Sequence, residues 1–242
     1  MTSYCALCEK EAALSNSHVI PEFLYSEMYD EKHRFRVIST LTDDSPTQMQ
    51  QGIRERLLCA QCETQLSVPE RYASLVFSGA LPITSNRTGN LVEVFGLDYV
   101  QFRLFGLSIL WRAHVARSRF FAVVDLGPHA PEIRRMIRDM DPGPPETYGF
   151  FLSPLTMEGE PAGGLMVEPT KSRLGQNRCY RFVFGGLVWV FVVSSHQAPR
   201  LFEQAFINRE GRMLMLVSEL RETSFILDAM HRAIEKERSN AF

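Results

Sequence analysis

The sequence predicts an α+β fold, with a small metal-knuckle module over residues 1–78 ahead of a mixed α+β domain over residues 79–242 whose sheet is largely antiparallel. Three observations predict it. Four of the five cysteines form two C-x-x-C pairs, and both pairs lie in the first third of the chain. Beyond them, segments of strand-like and helix-like periodicity follow one another, separated by Gly/Pro breaks. The composition is 45% hydrophobic and 22% charged over 242 residues, which supplies a real core and excludes disorder as the main state.

In the first module, Pro21 is placed to open a helix through Met28, because proline suits the first helical turn. His33–Thr40 alternates as a strand, and 41–51 is polar and loop-like. Ser67-Val68-Pro69-Glu70 fits a capping box with a helix running on to Phe77. In the second domain the strand expectations are Leu91–Gly96, Phe120–Leu126, Tyr148–Leu155, Gly164–Glu168, Tyr180–Val193 and Arg212–Val217. Gly185-Gly186 interrupts the fifth of these, as a bend, a bulge or a hairpin turn. Helices are expected at Asp98–Arg117, Pro131–Met140, Ala198–Ile207 and Thr223–Glu237. The first of them lines up Phe102, Phe105, Ile109, Leu110 and Ala113 on one face. Pro142-Gly143-Pro144-Pro145 is a break.

The cysteines carry the clearest chemistry. Cys5-Ala6-Leu7-Cys8 and Cys59-Ala60-Gln61-Cys62 each put two sulfurs on one tight knuckle. Two such knuckles complete a four-thiolate shell that suits a structural Zn²⁺ and closes it to water. Four buried free thiols and an iron–sulfur cluster are the alternatives. Cys179 stands apart in an apolar strand and reads as core.

Between the knuckles lies Ser17-His18-Val19-Ile20-Pro21, and Leu57-Leu58 precedes the second knuckle. Residues 5–77 thereby resemble the zinc-containing HNH endonucleases of the His-Me finger class. The resemblance implies a treble-clef-like zinc finger, a nuclease activity on DNA and a second, catalytic divalent ion, Mg²⁺ or Mn²⁺. By position His18 matches the general base that takes a proton from the attacking water. The chain departs from the pattern at three places. Ser17 stands where the family often has a ligand Asp, Arg54 near the expected Asn, and Glu63 where the family has a metal-binding His. Glu63 suits a hard cation and Arg54 suits phosphate. Each has a structural alternative: His18 holding the knuckle through a carbonyl, Glu63 favouring a helix start, Arg54 paired with an acid. The same departures support a second reading, a catalytically degenerate zinc finger that binds nucleic acid or a protein partner.

Charge is uneven. Residues 1–75 carry 7 basic and 11 acidic side chains, whereas 100–138 and 171–212 each carry seven basic against two acidic. These two segments are candidates for a phosphate-binding surface or for ordinary solvated faces. No phosphate loop, G-x-S-x-G, H-E-x-x-H or dinucleotide fingerprint occurs in residues 80–242. The N-terminus lacks a signal-peptide pattern, and the most apolar stretch, Phe182–Val193, is too short to cross a bilayer. A cytoplasmic protein with reduced cysteines and no membrane partner is expected.

Overall fold

The computed structural model describes residues 3–38, 48–194 and 200–239. The chain opens on a two-stranded hairpin, β1 (Ser3–Tyr4) and β2 (Glu11–Ala12). β3 (Leu14–His18) leads into a 3-10 helix, Glu22–Met28, then β4 (Phe35–Ile38) and β5 (Gln48–Met49). β6 (Arg54–Cys59) returns antiparallel to β3 and runs directly into α1 (Ala60–Phe77). β7 (Thr84–Thr88) and β8 (Leu91–Phe95) form a hairpin before α2 (Tyr99–Val115) and α3 (Ala130–Arg138). The remaining elements are β9 (Phe150–Met157), β10 (Glu160–Pro161), β11 (Met166–Leu174), β12 (Asn177–Phe184) and β13 (Leu187–Val192). α4 (Arg200–Glu203), β14 (Met213–Leu216), β15 (Ser218–Glu219) and α5 (Ser224–Ser239) complete the chain.

The large sheet runs in the order β10-β9-β13-β12-β11-β4-β5, with β15 joined to β9. Its pairs are antiparallel except β4–β11 and β15–β9. β4, from the first third of the chain, therefore belongs to the sheet of the second. One continuous core reinforces this union, running from Cys5 and Leu7 through Leu58, Phe102, Phe105 and Trp111 to Trp189 and Met213. α1 ends at Phe77, next to the sequence division at residue 78, yet both sides of that division bury their apolar faces on each other.

Several elements differ from the sequence expectation for identifiable reasons. α1 begins at Ala60, inside the second cysteine pair, not after Ser67. Ser67 lies mid-helix, where its hydroxyl donates back to the Thr64 carbonyl (2.7 Å) instead of capping an end. Glu70 pairs with Arg112 at 2.6 Å, so it is neither a cap nor exposed. Residues 120–126 form no strand, because Ser118 caps a 3-10 turn over Arg119–Phe121 that buries both Phe120 and Phe121. α2 is apolar on more than one face and is buried from Phe102 to Ala113. The Pro21 helix is 3-10, not α. Tyr180–Val193 is two strands joined at Gly185-Gly186, both at positive φ (58° and 68°), which is the hairpin-turn alternative. Of the expected 198–207 helix, Arg200–Glu203 is helical and residues 195–199 lie outside the described part. The polar 41–51 loop lies largely outside it too, although Gln48–Met49 pair with β4 as a strand.

Two buried guanidiniums tie the layers together. Arg103 donates to the carbonyls of Pro142 (2.8 Å), Pro145 (3.1 Å) and Thr147, which turns the Pro-Gly-Pro-Pro break into a fixed corner. Burial pulls Arg103 down to about 10, still a cation at neutral pH. Arg112, 1% exposed, donates to the His18 carbonyl at 2.7 Å and to Ser108, and pairs with Glu70. One side chain on α2 thus anchors both α1 and the end of β3. Replacing Arg112 with Met leaves the Glu70 carboxylate and the His18 carbonyl without their partner. The expected loss is about 3 kcal/mol or more, read as a lower midpoint in urea denaturation. A midpoint unchanged from the parent would show that this anchor carries no stability.

Candidate functional site

The first knuckle is built on the turn between β1 and β2. Cys5 N–H donates to the Lys10 carbonyl (2.9 Å) and Glu9 N–H to the Cys5 carbonyl (2.8 Å), with Glu9 in the left-handed region at φ 59°. Ala6 N–H reaches the Leu57 carbonyl (2.9 Å), which fastens the turn to β6. Cys59 is the last residue of β6 and Cys62 lies in the first turn of α1. The change from extended strand to helix between them points both sulfurs back at the first knuckle. All four ligand atoms lie within 4.8 Å of one another.

The cluster fits a metal ion. Cys8 Sγ and Cys59 Sγ are 3.9 Å apart, far beyond a disulfide bond, and close to the edge of about 3.8 Å that four sulfurs at ~2.3 Å from one tetrahedral ion would have. Cys5, Cys59 and Cys62 are buried and Cys8 is half-buried. Burial acts to raise Cys5, but backbone N–H groups at Cys8, Cys59 and Leu7 outweigh it and bring the thiol down to about 7. Cys59 N–H is 3.3 Å from Cys5 Sγ. Cys62 is pushed up by burial and by its neighbouring sulfurs, the penalty that a cation at the centre removes. Among the described residues these four form the one group of three or more potential ligands. Cys179 is buried on β12, apart from them.

His18 closes β3, directly opposite Arg54 on β6. Its Nε2 is 2.8 Å from Glu22 Oε2 on the 3-10 helix. Glu22 Oε1 accepts the Tyr29 hydroxyl at 2.5 Å, and Arg54 Nη2 lies 3.6 Å from Oε2. The His18, Glu22 and Arg54 side chains are 24%, 40% and 33% exposed, so the group is reachable from solvent. Burial and then Arg54 lower His18, and they outweigh the opposing pull of Glu22 and Glu70. Glu22 is also lowered: burial would raise it, but the hydrogen bonds of Tyr29 and His18 and the charge of Arg54 prevail. The result is a neutral imidazole beside an ionised carboxylate and a guanidinium, which are the protonation states a general base and a phosphate contact require.

The structure thus brings His18 and Arg54 together and places the other expected residues elsewhere. Ser17 is 2% exposed and faces inward, accepting Leu58 N–H (3.3 Å) and donating to the Ser15 carbonyl (3.4 Å). Glu63 follows Cys62 on α1, and its Oε1 is buried with no hydrogen-bond partner among the described residues. The α1 carboxylate that acts on His18 is Glu70, seven residues or roughly 10 Å further along the helix. Glu22 and Tyr29 escaped the sequence reading. The signal for Glu22 was its place four residues after His18, across a proline.

An open groove of about 840 Å³ adjoins Arg54, lined by Asn16, Gln50, Gln51, Arg117 and Ser118 among others. Glu55 accepts the N–H groups of Arg117 (2.7 Å) and Ser118 (2.8 Å) and so fixes the far wall to β6. Most of the 100–138 basic segment is spent on structure. Arg103 and Arg112 are buried, Arg134 pairs with Glu9, Arg135 and Arg138 with nearby acids, and Arg212 with Glu93. Arg117 and Arg119 have no carboxylate partner among the described residues. Among the described residues no helix is long and apolar enough to cross a membrane.

No protein-family model matches the chain, and no curated protein or solved structure matches it.

His18 is expected to titrate below the ordinary imidazole value of about 6.5 in an NMR pH series. The unfolded chain then binds a proton that the folded chain refuses, so stability falls as pH drops through the interval between the two values. His18→Asn should flatten that part of the stability profile. A His18 midpoint at or above 6.5 would contradict the environment described.

Proposed function

We propose that the chain is an HNH-like endonuclease that hydrolyses nucleic-acid phosphodiester bonds, with His18 as general base and the four cysteines holding a structural Zn²⁺ in a treble-clef-like finger. The observation that carries this reading is the arrangement of β3, β6 and α1. A strand ends on an accessible, neutral imidazole, its antiparallel partner runs into a helix, and the cysteine cluster pins the base of the unit. In such a site His18 takes the proton of the attacking water while Arg54 offsets the charge that builds on the phosphate oxygens. Four thiolates leave the zinc no open position, so its contribution is to hold the strand ends and the helix in register.

The residues present do not fit the second divalent ion, Mg²⁺ or Mn²⁺, that the resemblance implies. Ser17 is buried and bonded inward, and Glu63 Oε1 is itself buried. The same two residues favour the second reading, a finger without nuclease activity that retains nucleic-acid or protein binding. DNA is the partner proposed for the nuclease reading. Its strand would follow the groove from Arg54 to Arg117, with guanidiniums on phosphates and the Asn16, Gln50 and Gln51 amides on base edges. Unpaired cysteines fit a reducing compartment, and we place the protein in the cytoplasm.

Cleavage of plasmid DNA, assayed with and without Mg²⁺ or Mn²⁺, tests the reading. His18→Ala should slow it by about 10²–10⁴-fold. Equal cleavage by parent and variant would remove His18 from the mechanism, and binding without cleavage by the parent would favour the second reading. Arg117→Ala should weaken DNA binding and reduce the steepness of its salt dependence by about one phosphate contact. An unchanged salt slope would place the strand elsewhere.

A further inference from the structure

We infer that Glu22 is a positioning residue that fixes His18 as the Nε2–H tautomer, so that Nδ1 is the nitrogen left to take a proton. The tautomer follows from the Nε2–Glu22 contact between a neutral imidazole and an ionised carboxylate. Its use as the reacting form rests on the nuclease reading.

A neutral imidazole has one ring N–H and one lone pair, and the partner of one nitrogen decides which is which. The partner of Nε2 is Glu22 Oε2 at 2.8 Å. An ionised carboxylate only accepts hydrogen bonds, so Nε2 must be the donor. Glu22 is kept ionised by three groups around it: the Tyr29 hydroxyl on Oε1, Arg54 at 3.6 Å from Oε2, and His18 itself. Tyr29 remains a donor at neutral pH, because burial first and then Glu22 push its phenol up to about 12. Nδ1 of His18 has no hydrogen-bond partner among the described residues.

The backbone supports the pair from both ends. The His18 carbonyl is clamped by the buried Arg112, and Val19 N–H is bonded to the Ile53 carbonyl at 3.0 Å. Pro21, at φ −56° and ψ 142°, sets the entry into the 3-10 helix that begins with Glu22. The two side chains therefore meet across a short, restrained segment. A carboxylate that orients a base through its distal nitrogen is the arrangement acid–base sites use to keep the reacting lone pair aimed.

Nitrogen-detected NMR of histidine-labelled protein at neutral pH reads the tautomer directly. The parent chain should show a protonated Nε2 and an unprotonated Nδ1 at His18. Glu22→Ala should give a mixture of tautomers. Glu22→Gln, which keeps an acceptor but loses the charge, should hold the tautomer better and lower the His18 midpoint. In cleavage assays Glu22→Ala should lower kcat roughly ten- to a hundred-fold with little change in KM. Glu22→Gln should recover part of the rate and shift the acid limb of the pH profile to lower pH. A purely structural role would leave that limb in place. A protonated Nδ1 in the parent, or a tautomer unchanged in a folded Glu22→Ala protein, would overturn the inference. If the tautomer is as described and the parent does not cleave, the nuclease reading fails and the assignment of Glu22 stands.

Discussion

Everything around His18 depends on four sulfurs converging from two stretches of chain 51 residues apart. Closing a loop of that length costs conformational entropy. The cysteine cluster supplies the closure. It fixes the β1–β2 turn against β6, makes Cys59 the point where strand becomes helix, and so sets the register in which His18 faces Arg54. Without a cation, burial and the neighbouring sulfurs push Cys62 up and disfavour its thiolate. A cation at the centre of the cluster turns the same four groups into ligands.

The second constraint is Arg112. A guanidinium 1% exposed, in the last turn of a helix buried from Phe102 to Ala113, is tolerable only because Ser108, Glu70 and the His18 carbonyl satisfy it. It passes the position of α2 on to the end of β3. With β4 inserted into the large sheet and one core running from Cys5 to Met213, the N-terminal elements are packed into the rest of the described chain. The rigidity of the site therefore comes from both parts.

Much of this was legible in the sequence where the signal was local and periodic. The C-x-x-C pairs, the helices at 99–115 and 130–138, and the strands at 91–95, 150–157 and 213–216 follow from spacing, caps and alternation. The α+β class and the largely antiparallel sheet follow from their order. The reading failed where a tertiary partner overrode a local pattern. Ser67-Val68-Pro69-Glu70 has the form of a helix start, but the cysteine pair had already started the helix, and Glu70 had Arg112 to bind. Phe120–Leu126 has strand-like residues, but both rings are drawn inward by a 3-10 turn. At the site, His18 stood out by its motif. Glu22 gave a weak signal, because a carboxylate four residues away becomes a neighbour only if the intervening proline bends the chain back. Glu63 matched by position, but its Oε1 is buried without a hydrogen-bond partner among the described residues, and the groups bonded to or paired with His18 and Glu22 are Tyr29 and Arg54.

The convergence of the four sulfurs is tested most directly by X-ray absorption at the zinc edge on the purified chain, together with its metal content. One zinc per chain, with four sulfur neighbours at about 2.3 Å and no nitrogen or oxygen in the shell, is the expected result. A chain without bound metal, or a zinc held by fewer than four sulfurs, would contradict it.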